Sequence, residues 1–192
     1  PLLPLSFVAA ITSKVKLATG VMILPQRHPI YVAKELATLD VLSKGRTILR
    51  IGSGWLKEEF DALGLDFHQR GARTDEAMQA LRALWNDNPS SFHGKQFNFG
   101  PVLSFPKPAQ KGGVPIHVGG HSPAAARRAG RLGDGFFPAI GEIPKLNELF
   151  GLMREEAAKH GRKADAIELS CMGKASLDTI KKFQDIGISR IV

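Results

Sequence analysis

From Lys16 onward, apolar runs of four to six residues alternate with segments of helical periodicity, and no other feature of the chain restricts its fold as much. Parallel strands need crossover connections, which helices supply, so strict β-α alternation predicts a parallel sheet with helices packed outside it. Residues 16–24 are β-rich and end at Pro25, which reads as one buried strand. Pro29 opens a helix with Val32, Leu36, Leu39 and Leu42 on one face, closed by Gly45. Residues 47–51 form the next strand, which runs into Gly52-Ser53-Gly54-Trp55.

A short helix over residues 57–63 and a longer one over 73–85 follow, the second burying Met78, Leu81 and Trp85. Residues 92–97 read as a small β-hairpin with Gly94 in the turn. Residues 100–113 hold three of the twelve prolines and read as a loop. A strand over 115–118 leads through Gly119-Gly120-His121 to a helix over 122–132, with Ser122 as N-cap, Pro123 at N1 and Gly133 at C′. Strands over 135–138, 167–171 and 188–192 then alternate with helices over 144–160 and 176–186. The first of these helices turns Leu146, Leu149, Met153 and Ala157 inward.

Two architectures have this order: an open doubly wound sheet and a closed (β/α)8 barrel. The dinucleotide fingerprint G-x-G-x-x-G is missing, since bulky Trp55 and Leu56 follow Gly52-Ser53-Gly54. A barrel takes eight strands, and this chain supplies six, with its first residues already close to the alternating pattern. Six parallel strands alone would leave two long hydrophobic edges, a liability for a free-standing domain. The expectation is an α/β fold, a TIM (β/α)8 barrel represented by strands 3 to 8, with the first two βα units missing. Residues 1–192 then form a single incomplete barrel domain with an insertion at about 86–113.

Composition removes several classes of function. Hydrophobic residues make up 43% and charged residues 23%, enough for a core and too apolar for a disordered tail. No apolar run approaches the ~20 residues of a membrane helix. The first residues, Pro1-Leu2-Leu3-Pro4-Leu5, resemble neither a signal peptide nor a natural start. A single cysteine, Cys171, excludes a disulfide framework and a cysteine metal cluster, and a cytoplasmic location is expected. The net charge of +8 raises the question of nucleic acid. Yet the basic residues are scattered, as at Lys14 and Lys16, Arg46 and Arg50, Arg127 and Arg128, with no aromatic-interleaved run. Neither nucleic acid nor membrane is expected as a partner.

In a barrel, function sits where strands end at their C-termini. Gly119-Gly120, followed by a helix capped at Ser122, suits a phosphate: residues without Cβ admit a ligand, and a helix start offers N–H groups and a favourable dipole. The same residues also suit a tight βα turn with an ordinary cap. Gly52-Ser53-Gly54 is a similar, less specific loop. Trp55 reads as a ligand-stacking wall or, the commoner fate, as core. His117 reads as a buried histidine of the core, His121 as the better functional candidate, His28 as structural and Cys171 as an inert buried thiol. No metal-ligand spacing, G-x-S-x-G elbow or P-loop occurs, and no acidic residue stands at these strand ends. An enzyme without its own strong acid or base there often delegates the chemistry to a cofactor.

The ordered set of segments resembles the bacterial-luciferase-like superfamily of flavin- and F420-dependent oxidoreductases, nearest in look to the F420-dependent branch. The matching pieces begin with Leu17-Ala18-Thr19-Gly20-Val21, Arg27-His28-Pro29, Ala33-Lys34-Glu35-Leu36-Ala37-Thr38-Leu39-Asp40 and Ser43-Lys44-Gly45-Arg46. They continue with Gly52-Ser53-Gly54-Trp55, Glu58-Glu59-Phe60, Arg70-Gly71, Pro106-Lys107-Pro108, Val118-Gly119-Gly120-His121-Ser122, Arg127-Arg128 and Gly133-Asp134-Gly135. The likeness extends over residues 7–162.

The resemblance implies a TIM barrel with an insertion between its fourth and fifth strands, and F420 or FMN as cofactor. It implies that Gly20 and Val21 form a bulge with a non-prolyl cis peptide behind the central ring. Ser53 and Gly54 would lie near the ring system, Trp55 would face a small-molecule substrate, and Gly119, Gly120, His121 and Ser122 would hold the cofactor phosphate. The reaction would be hydride transfer to, or oxygenation of, a small organic substrate, in a chain able to form a homodimer. Two departures stand against a full transfer of function. Where some F420-dependent sugar-phosphate dehydrogenases carry a catalytic Glu after Gly-x-Gly, this chain has Trp55. The family's positions on the first two strands are also missing, and the catalytic residues stay unassigned. Two other readings remain open: a non-redox phosphate-binding barrel enzyme of isomerase or aldolase type, and a non-catalytic flavin-binding protein.

Overall fold

The computed structural model of the chain describes residues 2–174 and 176–192. Its contacts divide it into two compact units, Pro1–Val114 and Pro115–Val192. The first unit runs α1 (Leu2–Ile11), β1 (Leu17–Ala18), β2 (Met22–Ile23), α2 (Pro29–Leu42), β3 (Thr47–Gly52), α3 (Lys57–Ala62), α4 (Arg70–Asn86), β4 (Ser90–His93) and β5 (Asn98–Val102).

The strand expected over residues 16–24 is broken into β1 and β2, both parallel to β3. Leu17 and Ala18 pair with Thr47 and Ile48, whereas Met22 and Ile23 pair with Ile51 and Gly52. The chain advances four residues from Ala18 to Met22 while β3 advances three, so residues 19–21 carry one extra residue, a β-bulge. The Gly20–Val21 peptide inside it is cis.

α2 starts at Pro29, whose missing N–H has no intrahelical role at that position. It buries Val32, Leu36 and Leu39, but Leu42 is 68% exposed. At 3.6 residues per turn, Leu42 lies about 80° round the helix from Val32, and the buried arc runs through Ala33, Ala37 and Asp40 instead. Asp40 is fully buried, and its carboxylate accepts from the Gln110 N–H at 3.0 Å and the Gln110 Nε2 at 2.8 Å. A buried carboxylate supplied with donors in this way avoids the cost of an unpaired charge. α4 is anchored on α2 through the buried Trp85 indole, which donates to the Ala33 carbonyl at 3.1 Å.

α1 has no counterpart in the sequence reading, because residues 2–11 are almost wholly apolar and show no amphipathic period. Its C-terminal end is held by Arg46, whose guanidinium donates to the carbonyls of Ala9, Thr12 and Val15 at 3.0–3.1 Å. The hairpin turn is where the glycine places it: Phe92 pairs with Phe99 and His93 with Asn98. The Glu76 carboxylate accepts the N–H groups of Lys95, Gln96 and Phe97, which ties the turn to α4. β5 extends to Val102, so the first part of the expected 100–113 loop is strand.

The second unit runs β6 (Ile116–Gly119), α5 (Pro123–Leu132), β7 (Gly135–Phe137), α6 (Ile143–Lys159), β8 (Glu168–Cys171), α7 (Leu177–Asp185) and β9 (Arg190–Ile191). The four strands pair in sequence order, each parallel to the next. Phe136, Leu146, Leu149, Phe150, Met153 and Ala157 are fully buried and form its core. α5 crosses α6 so closely at Gly130 that a Cβ there would stand 2.5 Å from the Met153 carbonyl oxygen. Gly133 closes α5 with a φ of −84°, and the chain leaves the helix extended. A Cβ at Gly133 would press on the Ala129 and Gly135 carbonyl oxygens at 3.1 Å. Among the described residues, no helix is long and apolar enough to cross a membrane.

Candidate cofactor site

In the first unit, the candidate residues lie between β1 and β2 and at the end of β3. Gly20 is exposed, and a Cβ built on it would have no atom within 4 Å outside its chain neighbours. Val21 packs toward β3, its Cγ2 standing 3.0 Å from where a Cβ of Gly52 would be, so Gly52 makes room for it. Gly54 has φ +81°, a conformation natural to glycine, and a Cβ there would lie 2.7 Å from the Phe60 ring. Those two glycines are required by packing, whereas Gly20 opens onto free space.

Ser53 is half-buried, and the hydroxyls of Ser53 and the fully buried Thr74 lie 3.3 Å apart. Thr74 also donates to the Arg70 carbonyl at 2.6 Å within α4. Trp55 is 82% exposed, which removes the reading of it as core. Gly54 has a positive φ directly before Trp55, whose indole is outside, while Phe60 takes the buried position.

Thr19 is the residue here that sequence reasoning missed. It is 2% exposed, its hydroxyl donates to the Arg50 carbonyl at 2.6 Å, and it accepts the Arg50 N–H at 2.9 Å. A threonine ahead of the glycine in Leu17-Ala18-Thr19-Gly20-Val21 was visible, but nothing local tells which strand it bonds.

In the second unit, Gly119 is buried at the end of β6 and Gly120 has φ +114°. The Gly120 N–H is donated to the Phe137 carbonyl at 3.2 Å, so this N–H belongs to the strand ladder. Ser122 caps α5, its hydroxyl accepting the Ala125 N–H at 3.2 Å. Pro123 at N1 has no N–H to offer, and the Ala124 N–H is one of the groups that a helix start leaves without an intrahelical acceptor. His121 and Ser122 are exposed beside it.

His117, His28 and Cys171 are structural in their surroundings. His117 is 2% exposed, and its ring lies against the backbone of its register partner Gly135, where a Cβ would come within 2.5 Å of it. His28 caps α2 by accepting the Ile30 N–H at 3.4 Å and sets its ring edge-on to Phe97 and Tyr31. Desolvation of that ring, and then the nearby Arg73 cation, hold its pKa below 6.5. Cys171 is buried, and burial raises its thiol pKa, which disfavours the reactive thiolate. Among the described residues, no group of three or more His, Cys, Asp or Glu side chains is placed to hold a metal ion.

Parallel β/α units with glycine-rich strand ends are the building pattern of α/β barrel proteins. The sequence pattern of the luciferase-like monooxygenase family matches residues 1–181, and the chain belongs to that family. It is 36% identical over 180 residues to an F420-dependent glucose-6-phosphate dehydrogenase of Nocardia farcinica, covering 90% of this chain and 53% of that protein. It is 34% identical over 155 residues to an FMNH2-dependent dimethylsulfone monooxygenase of Pseudomonas putida, covering 79% of this chain and 42% of that one. The crystal structure of the monooxygenase RslO1 from Streptomyces bottropensis superposes with a TM-score of 0.78 at 30% identity, covering 96% of this chain and 59% of that one. The fold class is therefore the luciferase-like TIM barrel, in part. The chain spans about half the length of the two curated relatives.

Proposed function

We propose that the chain is part of a luciferase-like oxidoreductase that binds F420 or FMN and acts on a small organic substrate. The observation that carries this reading is the bulge between β1 and β2. It leaves Gly20 with an unobstructed backbone face, on which a flat ring can lie, in a chain whose family relatives are named for F420 and for FMNH2.

The residues present fit such a group. In the first unit, Gly20 and Val21 would back the ring, with Ser53 and Gly54 beside it and the exposed Trp55 offering an apolar wall that orients substrate. In the second unit, Gly119, Gly120, His121 and Ser122 would take the phosphate, drawing on the positive end of α5. The Gly120 N–H is committed to the ladder, so its part there is room for close approach. When bound, F420 supplies a hydride carrier and reduced FMN supplies the reducing power for oxygenation. The chain's own share is binding and orientation. The departure at Trp55 argues against sugar-phosphate oxidation by a glutamate at that position.

Titrating the chain separately with FMN and with F420, followed by fluorescence, tests the reading. Binding of one cofactor alone identifies it and divides oxygenation from hydride transfer. Binding of neither by the folded chain overturns the redox reading and favours a phosphate-binding barrel without redox chemistry.

A further inference from the structure

We infer that Thr19 is a positioning residue: its side-chain hydroxyl bridges the Arg50 N–H and carbonyl at the bulge and thereby sets the backbone surface of Gly20 and Val21. The inference rests on the cofactor reading given above, and it adds a residue to which no role has been assigned.

The register carries the argument. Up to Ala18 the first strand is in step with β3, and from Met22 it is out of step by one residue. In between, the register shifts by one residue, and the main chain of β3 there faces the bulge. Arg50 is the residue at that point, and both its N–H and its carbonyl meet the same hydroxyl. One hydroxyl has one proton to donate and lone pairs to accept with. The proton goes to the Arg50 carbonyl at 2.6 Å, and a lone pair receives the Arg50 N–H at 2.9 Å. The Thr19 N–H reaches the Ile48 carbonyl at 3.4 Å, so the ladder is stretched here before the register shifts. Thr19 is 2% exposed, which leaves no room for solvent to assume the same bonds. Downstream, Val21 rests on Gly52, next to Ser53 and Gly54. A shift in the bulge therefore moves the proposed ring surface and the end of β3 together.

The test compares Thr19→Val, which keeps the branched shape and removes the hydroxyl, with Thr19→Ser, which keeps the hydroxyl and removes the methyl. Two readouts are taken on the full 192-residue chain: amide hydrogen exchange at Arg50, Val21 and Met22, and titration with FMN and F420 with the visible circular dichroism of the bound ring. Thr19→Val is expected to speed exchange of the Arg50 amide at least tenfold, to weaken cofactor binding at least tenfold and to alter the dichroism. Thr19→Ser is expected to keep all three near the parent values. A loss of stability without displacement of the bulge would leave the dichroism unchanged, so parent dichroism and affinity in Thr19→Val overturn the inference. Loss of binding in Thr19→Ser overturns it as well, including where Thr19→Val does not fold, because shape rather than the hydroxyl would then be decisive. Should the parent chain bind neither cofactor, the functional reading fails separately. The exchange arm then judges the role of Thr19 at the bulge, and unchanged Arg50 protection in Thr19→Val refutes it.

Discussion

The two candidate strand ends are built differently. At the end of β6 the ladder runs on regularly: the Gly120 N–H still reaches Phe137, and a capped helix begins within three residues. Beside β3 the register shifts by one residue, and a side-chain hydroxyl bonds the Arg50 main chain. A regular strand end is specified by residues that are neighbours in sequence, a glycine pair and a cap. A shifted one depends on a group 31 residues away from the main chain it serves.

Substitutions at glycines sharpen this contrast, since the chain uses glycine for close packing in some places and for open surface in others. The largest effect is expected for Gly130→Val, where the new Cβ would stand 2.5 Å from the Met153 carbonyl and 3.0 Å from the Ala157 nitrogen. Main chain cannot yield as a side chain can, so a loss of about 3 kcal/mol is expected in urea unfolding. A loss below about 1 kcal/mol would mean that α5 and α6 are not in such close contact.

Gly54→Ala comes next, at about 2 kcal/mol, because it combines a positive φ with a 2.7 Å approach to Phe60. Gly20→Ala is its counterpart. With nothing near the new methyl, stability should stay within about 0.5 kcal/mol, while cofactor affinity falls. Equal destabilisation at the two positions would erase the distinction between packing glycine and surface glycine.

Ser122→Ala should cost about 1 kcal/mol through the lost cap on α5, with Ser122→Asn restoring most of it in thermal unfolding. The smallest effect is a pH dependence at His28. Desolvation and the Arg73 cation lower its pKa below 6.5, so the folded state binds less proton than the unfolded state. The stability contributed by neutral His28 is present above pH 6.5 and declines as pH falls toward the lowered value. His28→Asn, which retains a capping side chain, should flatten that part of the stability profile below pH 6.5.

Much of this was legible in the residues themselves. The β-α order, the caps at Pro29 and at Ser122-Pro123, the Gly94 hairpin turn and the inward face of α6 are all consequences of local propensity and period. The lapses have physical causes as well. α1 lacks polar positions that would announce its period, and Arg46, which closes its C-terminal end, comes more than 30 residues later. Leu42 fell off the buried arc because the helix period is not a whole number. Trp55 is outside although its type favours the core, directly after the positive φ at Gly54. Of the candidate site, the glycines and Ser122 could be named from sequence. Thr19 and Thr74 could not be assigned, since their meaning lies in bonds to Arg50 and toward Ser53.

By itself, the sequence determined what is decided within a few residues: the β-α order after residue 16, the helix starts at Pro29 and Ser122, and the hairpin turn at Gly94. It did so because hydrogen bonding inside a helix, capping and apolar period are short-range interactions. Only the tertiary structure decided the register of β1 and β2 against β3, the bulge that follows, and which buried polar groups satisfy one another, as Asp40 and Gln110 do across 70 residues. Those outcomes depend on which main-chain donors and acceptors are brought face to face when the core closes, and unpaired groups there are too costly to leave.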